Sequence, residues 1–289
     1  MKNLEQYIGQ KFNLLTIEGV SMQKTKAGIA QFIVKCDCGN RKEVNIHNVF
    51  NNNTKSCGCL HKTLLLDQIY SKKYNYNEDF FENLNEDSFY VLGLLYTDGN
   101  ISKELGKGSI ALKENDIDIL KKISLLVKND DKLIYISGKP GTGLFNNYYS
   151  NPQYKFYFCN KKIYKDLINL GLCTNKTKIL KVDEKLKDSL HFWRGVMDGD
   201  GSVRIKTYKT GKRSLTISMC SASLSFINSF RDFCYKNTET KVKIHKLKSR
   251  DFYVFSMTGK DATDIFKLLY DNNSNLYLER KKKYLKEIL

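Results

Sequence analysis

Proline is almost missing from this 289-residue chain, and two copies exclude any long proline-stiffened linker. Long apolar runs are missing too. Nothing approaches the roughly 20 consecutive apolar residues that cross a bilayer, so no membrane-spanning segment is expected. The opening MKNLEQYIGQKF lacks the apolar stretch of a secretion signal, which predicts an intracellular protein, cytoplasmic or nucleoid-associated. Acidic residues are in deficit. Against 48 lysines and arginines stand 31 aspartates and glutamates, leaving a net charge of +17. Such an excess favours a polyanionic partner, because each neutralised phosphate releases counterions. An anionic membrane surface would satisfy the same charge. Signatures of several enzyme classes are lacking as well: no H-E-x-x-H and no evident Ser–His–Asp set. SGKPGTG at 137–143 is glycine-rich but lacks the GxxxxGK[ST] order, so it reads as a strand connection and no nucleotide cofactor is expected.

What is present suits a folded chain of more than one domain. Hydrophobic residues make up 41%, with 18 Tyr and 16 Phe, enough for a sizeable core. The eight cysteines are uneven: Cys36, Cys38, Cys57 and Cys59 form two tight pairs, while Cys159, Cys173, Cys220 and Cys234 are scattered. That pattern suits a reducing compartment better than a disulfide framework. Four regions follow: a cysteine-rich module at 1–60, a charged connector at 61–87, and two related segments at 88–184 and 185–289.

The relation between those segments is an internal duplication. YVLGLLYTDGNI at 90–101 matches FWRGVMDGDGSV at 192–203, so Gly93 and Asp98 fall opposite Gly195 and Asp200 at an offset of 102. Farther on, helical stripes recur at Ile117, Leu120 and Ile123, and at Leu224, Ile227 and Phe230. Asn115 followed by Asp118 is a candidate helix start. Each copy therefore reads helix, two strands, helix, two strands, helix, an α+β fold. In the second copy the strands alternate. Val203, Ile205, Leu215, Ile217 and Met219 form an apolar face, with Arg204, Lys206, Lys212, Ser214 and Thr216 opposite. A third strand is expected at 241–245, with Lys241 and Lys243 outward and Val242 and Ile244 inward. Basic and hydroxyl side chains on one face fit phosphate and base-edge contacts, although a solvated surface would look alike.

Asp98 and Asp200 each close an apolar helix and precede a glycine able to take the positive φ that ends one. A carboxylate at a helix C-terminus meets a negative dipole and needs compensation. If the copies pack about a pseudo-two-fold axis the two acids converge, and a divalent cation would relieve both repulsions. Gly93 and Gly195 would let the two helices approach closely, and Trp193 is expected to pack at that helix interface.

VLGLLYTDG at 91–99 and WRGVMDGDG at 193–201 resemble the two signature helices of the LAGLIDADG homing endonuclease family, a likeness that covers about residues 72–289. It implies paired αββαββα units whose antiparallel sheets form a saddle over double-stranded DNA. It also implies Mg²⁺ held by Asp98 and Asp200, and a single chain that acts as a monomer on a long, imperfectly palindromic site. Lys176 and Lys281 resemble the lysines near the close of the family repeats, which implies help in phosphodiester cleavage. Arg280 is assigned to DNA phosphate. Where the motif has an earlier acid, this chain has Tyr96 in the first copy and Asp198 in the second. The alternatives are a non-catalytic DNA-binding regulator and an RNA splicing cofactor (a maturase) on the same fold. Ahead of the repeats, KCDCGNRKEV and NTKSCGCL resemble a small module of phage-related nuclease and DNA-binding proteins. Its four thiols are read as a structural zinc site, with His47 and His61 as reserve ligands.

Overall fold

A computed structural model describes residues 4–61, 75–136, 151–247 and 251–288. Residues 62–74 of the expected connector and the glycine-rich 137–143 segment lie outside the described residues. The chain divides into two compact units, Met1–Lys72 and Lys73–Leu289.

The first unit is a four-stranded antiparallel sheet in the order β1 (Lys11–Phe12), β2 (Leu15–Lys24), β3 (Ala30–Cys36), β4 (Arg41–Asn45), followed by helix α1 (Ile46–Phe50). Alternation in the strands puts Leu15, Ile17, Phe32, Val34, Cys36 and Val44 on one buried side, where Val49 of α1 joins them. Asn45 starts α1 by accepting the His47 N–H at 2.8 Å.

The second unit contains the duplication. Its first repeat runs α2 (Glu86–Thr97), β5 (Gly99–Ser102), β6 (Lys107–Lys113), α3 (Ile117–Lys128), β7 (Ile134–Ile136), β8 (Gln153–Cys159) and α4 (Lys161–Asn169). The second repeat runs α5 (Leu190–Gly199), β9 (Gly201–Thr207), β10 (Arg213–Ser221), α6 (Leu224–Thr238), β11 (His245–Lys246), β12 (Tyr253–Thr258) and α7 (Lys260–Tyr270). Two short helices, α8 (Glu279–Lys282) and α9 (Tyr284–Ile288), end the chain. The sheets have equivalent orders, β5-β6-β8-β7 and β9-β10-β12-β11, and every pairing in them is antiparallel. The α+β duplication read from the sequence is what the chain adopts.

Local signals explain the starts of the two long motif helices. Asn85 accepts the N–H groups of Asp87 and Ser88, while Ser88 Oγ accepts the Asn85 N–H at 2.7 Å, a reciprocal cap on α2. Ser189 accepts the Phe192 N–H and starts α5. Between the repeats runs one continuous core, including Tyr90, Leu94, Phe156, Phe192, Trp193, Ile217, Phe230 and Phe255.

Several local expectations are corrected. Helix α3 begins at Ile117 after a 3₁₀ turn at Glu114–Asp116, so Asn115 is not its cap. Leu224, the first residue of α6, is 43% exposed, because the buried face of that helix runs through Phe226, Ile227, Phe230, Phe233 and Cys234. In the 241–245 segment only His245 joins a strand. β11 pairs with no more than Val254 and Tyr253 of β12, so Lys241 and Lys243 stand exposed on a connection. Lys212 lies in the turn where Tyr208 N–H reaches Lys212 O at 2.8 Å, one residue before β10. Trp193 stacks its ring on Phe192, Phe226, Phe230 and Phe233, all of its own repeat.

Candidate active site

Helices α2 and α5 cross at their glycines. A Cβ on Gly93 would lie 2.2 Å from Phe192 O, and one on Gly195 would lie 2.1 Å from Tyr90 O. No side chain fits at such a distance, so the two backbones touch. Beyond the crossing, Asp98 and Asp200 end their helices in the same way. Asp98 N–H donates to Leu94 O at 2.9 Å and Asp200 N–H to Val196 O at 3.0 Å, donors and acceptors both offset by 102. Their φ values are −84° and −93°. Gly99 and Gly201, which follow, do not take the positive φ expected of them. They are needed for room, since a Cβ would meet Leu95 O at 2.4 Å in one copy and Met197 Sδ at 2.2 Å in the other.

The two acids converge. A Cβ on Gly199 would sit 2.8 Å from Asp98 Oδ2, so the end of α5 lies directly against the first acid. Both carboxyl groups keep access to solvent, yet the protein behind them strips enough water to raise their pKa values. Asp98 is pushed up to about 6, first by burial and then by the charge of Asp200, with Lys281, Lys176 and Arg280 opposing. Asp200 is raised by burial and held back by Lys176 and Lys281.

Those two lysines occupy matching positions that the sequence placed only loosely. Lys176 Nζ donates to Leu95 O and, at 2.5 Å, to Gly99 O. Lys281 Nζ donates to Met197 O, to Asp198 O at 2.8 Å and to Gly201 O at 2.7 Å. Residues 95 and 99 correspond to 197 and 201 by the motif offset of 102, whereas the lysines themselves are 105 apart. Each ammonium thus closes the carbonyl end of its motif helix, where a cation is favoured. Burial pulls both lysines down to about 8, against the attraction of the nearby acids. Beside each acid opens a matching cleft. One, of about 320 Å³, is lined by Gly99, Asn100, Ile101 and Lys176 among others. Its counterpart, of about 330 Å³, is lined by Gly201, Ser202, Val203 and Lys281 among others.

The position before the acid breaks the symmetry. Asp198 is fully buried and accepts three hydrogen bonds, from Tyr90 Oη at 2.7 Å, Tyr270 Oη at 2.6 Å and Leu278 N–H at 2.8 Å. Tyr96 in the first copy instead donates to Leu170 O at 2.6 Å. Sequence reasoning missed this network, along with the buried Arg194, whose guanidinium donates to Leu276 O at 2.9 Å. It also missed the partner of Arg280, which pairs with the buried Asp116 at 3.0 Å and so ties the two repeats together.

On the outward sheet face of the second repeat, Arg204 stands opposite Thr216 and Lys206 opposite Ser214. Thr258 extends the first of these rows, and its Oγ1 lies 2.8 Å from Thr216 Oγ1. The equivalent face of the first repeat carries Asn100, Ser102, Lys107, Ser109, Lys155 and Tyr157. In the first unit, Cys36, Cys38, Cys57 and Cys59 come together with all four sulfurs within 4.8 Å of one another, and the group includes no histidine. Among the described residues no helix is long and apolar enough to cross a membrane.

No family model and no curated protein matches the chain. Among solved structures it is similar to a structure of mesophilic variants from the homing endonuclease I-DmoI, at 17% identity and a TM-score of 0.44, over 70% of this chain and 97% of that one. It is similar to the LAGLIDADG meganuclease I-AabMI bound to uncleaved DNA, at 16% identity and a TM-score of 0.44, over 71% and 88% of the two chains. A third similarity is to the homing endonuclease I-WcaI bound to its DNA recognition sequence, at 12% identity and a TM-score of 0.49, over 72% and 90%. At these identities the likeness is one of fold alone.

Proposed function

We propose that the chain is a metal-dependent endonuclease that cuts both strands of a specific DNA duplex, as homing endonucleases of the LAGLIDADG type do. One observation carries this reading: two solvent-open acids converge at the ends of a close-packed helix pair, each beside a lysine fixed on equivalent carbonyls. A protein that only binds DNA has no use for paired carboxylates facing phosphate.

The donor set is oxygen only, exposed and anionic, which fits a hard divalent ion such as Mg²⁺ that keeps several waters and takes phosphate oxygens. Asp98 and Asp200 would hold it, and when bound it supplies Lewis-acid stabilisation of charge on the phosphoryl group. The protein's own part is placement. Lys176 and Lys281 hold positive charge behind the acids, and with pKa values near 8 each is close to exchanging a proton at neutral pH. Arg204, Lys206, Ser214 and Thr216 offer donors along the groove-facing sheet, with Lys212, Lys241 and Lys243 on its flanking turns. Arg280, already paired with Asp116, serves this face less directly than the sequence suggested. Because both acids lie in one chain, the working species is a monomer, and because the two faces differ, its site is an imperfect palindrome.

Selection of cleaved sites from a randomised DNA library with Mg²⁺ tests the reading. Recovery of one family of long sites, cut on both strands, is the expected result. Tight binding without cutting would transfer the protein to the regulator class, and cutting only by chain pairs would overturn the monomer.

A further inference from the structure

The nuclease reading leaves the cysteine-rich unit unused. We propose that Cys36, Cys38, Cys57 and Cys59 bind one zinc ion as a closed, structural tetrathiolate centre, independently of any cleavage chemistry.

Distances set the argument. Cys36 Sγ lies 3.7 Å from Cys59 Sγ, and Cys38 Sγ lies 3.3 Å from Cys57 Sγ. With Zn–S bonds of about 2.3 Å, a regular tetrahedron has edges of about 3.8 Å. The four sulfurs, all within 4.8 Å of one another, are already spaced to surround one ion. The same separations are far from a disulfide, whose sulfurs stand about 2.05 Å apart.

The backbone presents the sulfurs as two facing knuckles. In the first, Cys36 N–H donates to Asn40 O at 2.8 Å and Gly39 N–H to Cys36 O at 2.8 Å, with Gly39 at φ +91°. In the second, Ser56 Oγ accepts the N–H groups of Gly58 at 3.1 Å and Leu60 at 3.2 Å, with Gly58 at φ +110°. Each turn directs backbone N–H groups at sulfur: Cys38 to Cys36, Asn40 to Cys38, and Cys59 to Cys57. The Asn40 amide adds a contact to Cys57 Sγ at 3.8 Å. Donors arranged around sulfur stabilise thiolates and orient them, the usual second layer of a metal site.

Chemistry selects the ion. Four soft thiolates favour zinc over the hard cations suited to the carboxylates of the other unit. All four tetrahedral positions are filled by protein, which leaves none for a substrate and marks the centre as structural. As the four Zn–S bonds form, the four thiol protons pass to solvent, so affinity falls in acid. Among the described residues the buried core of this unit is small, six apolar side chains besides Cys36 and a five-residue helix beside the sheet, the setting in which a bound metal adds folding energy.

The full chain, purified without chelator, should contain one zinc per molecule by elemental analysis. Replacement by Co²⁺ should give the strong sulfur-to-cobalt charge-transfer and d–d bands of a tetrahedral thiolate site. The pair Cys57→Ser and Cys59→Ser should abolish those bands, while Cys220→Ser, exposed and outside the cluster, should keep them. If the serine pair does not fold, the wild-type chain still decides: a strong chelator should release one zinc and expose four thiols to a thiol reagent together. Metal-free protein with four reactive thiols would overturn the proposal. So would a mass lower by four hydrogens from two disulfides, bound iron in place of zinc, or an octahedral cobalt spectrum.

Discussion

The two repeats of the second unit share an element order, a sheet order and a lysine-capped acid, yet they anchor that acid differently. Behind Asp200, the carboxylate of Asp198 gathers two tyrosine hydroxyls and a backbone N–H from the chain's last segment. Behind Asp98, the Tyr96 hydroxyl donates to Leu170 O and accepts the Asp183 N–H. Leu278, held by Asp198, lies three residues before Lys281, so the second lysine is fixed twice, by its own three carbonyls and through this strap. The first lysine rests on two carbonyls and remains less buried. Duplication has kept the geometry facing the cleft and let the support behind it diverge.

The comparison is broken most severely by removing the acids. Asp98→Asn and Asp200→Asn should each lower double-strand cleavage by at least about 10²-fold, the scale of losing one preorganised charged group at a reacting centre. DNA binding should stay near wild type, because it draws on the sheet faces and the charge excess. Single-turnover cutting at saturating enzyme, with binding measured separately in Ca²⁺, checks this. Wild-type rates in both variants would remove the acids from the mechanism, and equal losses of binding and cutting would assign them to packing. A variant that nicks one strand would show that the two halves act separately.

The supports themselves should differ in weight. Asp198→Asn exchanges a buried charge for an amide that cannot accept from three donors, and should cost about 1.5–3 kcal/mol. Tyr96→Phe removes no charge and loses only the neutral hydrogen bonds to Leu170 O and from the Asp183 N–H, and should cost about 0.5–1.5 kcal/mol. Chemical denaturation of both variants measures the gap. Equal losses would mean that the Asp198 network does no more than the single tyrosine.

This asymmetry was only half legible. The repeated glycine and acid, at one fixed offset, placed the helix crossing and both carboxylates, because a backbone contact demands glycine and the motif is contiguous in sequence. The chemistry behind it was not. Tyr270 and Leu278 stand 72 and 80 residues from Asp198, and Asp116 stands 164 from Arg280. Contacts at such separations leave no local pattern. Lysine placement fell between these cases, since the segment before Lys281 is three residues out of step with the one before Lys176. At 241–244 the alternation was present, yet the ladder with β12 stops at His245–Val254 although Phe255–Thr258 continue the register, so alternation alone did not decide the pairing.

Smaller effects should separate the two sheet faces. Lys206→Ala in the second repeat and Lys107→Ala in the first each remove one exposed cation. If both meet phosphate, each should lower affinity across all sequences and reduce the salt slope by about one. Arg204→Ala should instead relax discrimination at one position by about 1–3 kcal/mol if it reads a base edge. Titration of cognate and scrambled duplexes over a salt series distinguishes the two behaviours.

The smallest expected effect concerns the stability of the magnesium-free protein and separates acids from lysines. Asp98, at about 6 against an ordinary 3.8, binds more protons folded than unfolded between those values. Stability therefore falls as pH rises from about 4 to about 6, and the penalty persists above that window. Lys176 and Lys281, at about 8 against 10.5, bind fewer protons folded than unfolded in their range. Their penalty is present at neutral pH and lifts as pH rises from about 8 to 10.5. At pH 7 both kinds of group oppose folding, as befits a site arranged for chemistry. Asp98→Asn should then raise the melting temperature above about pH 6 and leave it unchanged below about pH 4. Solvent access to the carboxyl keeps the gain modest. Mg²⁺ should raise the wild-type melting temperature at neutral pH and do less for the Asn variant. A variant that melts lower than wild type at pH 7 in magnesium-free buffer would show that Asp98 supports the helix end instead of straining it.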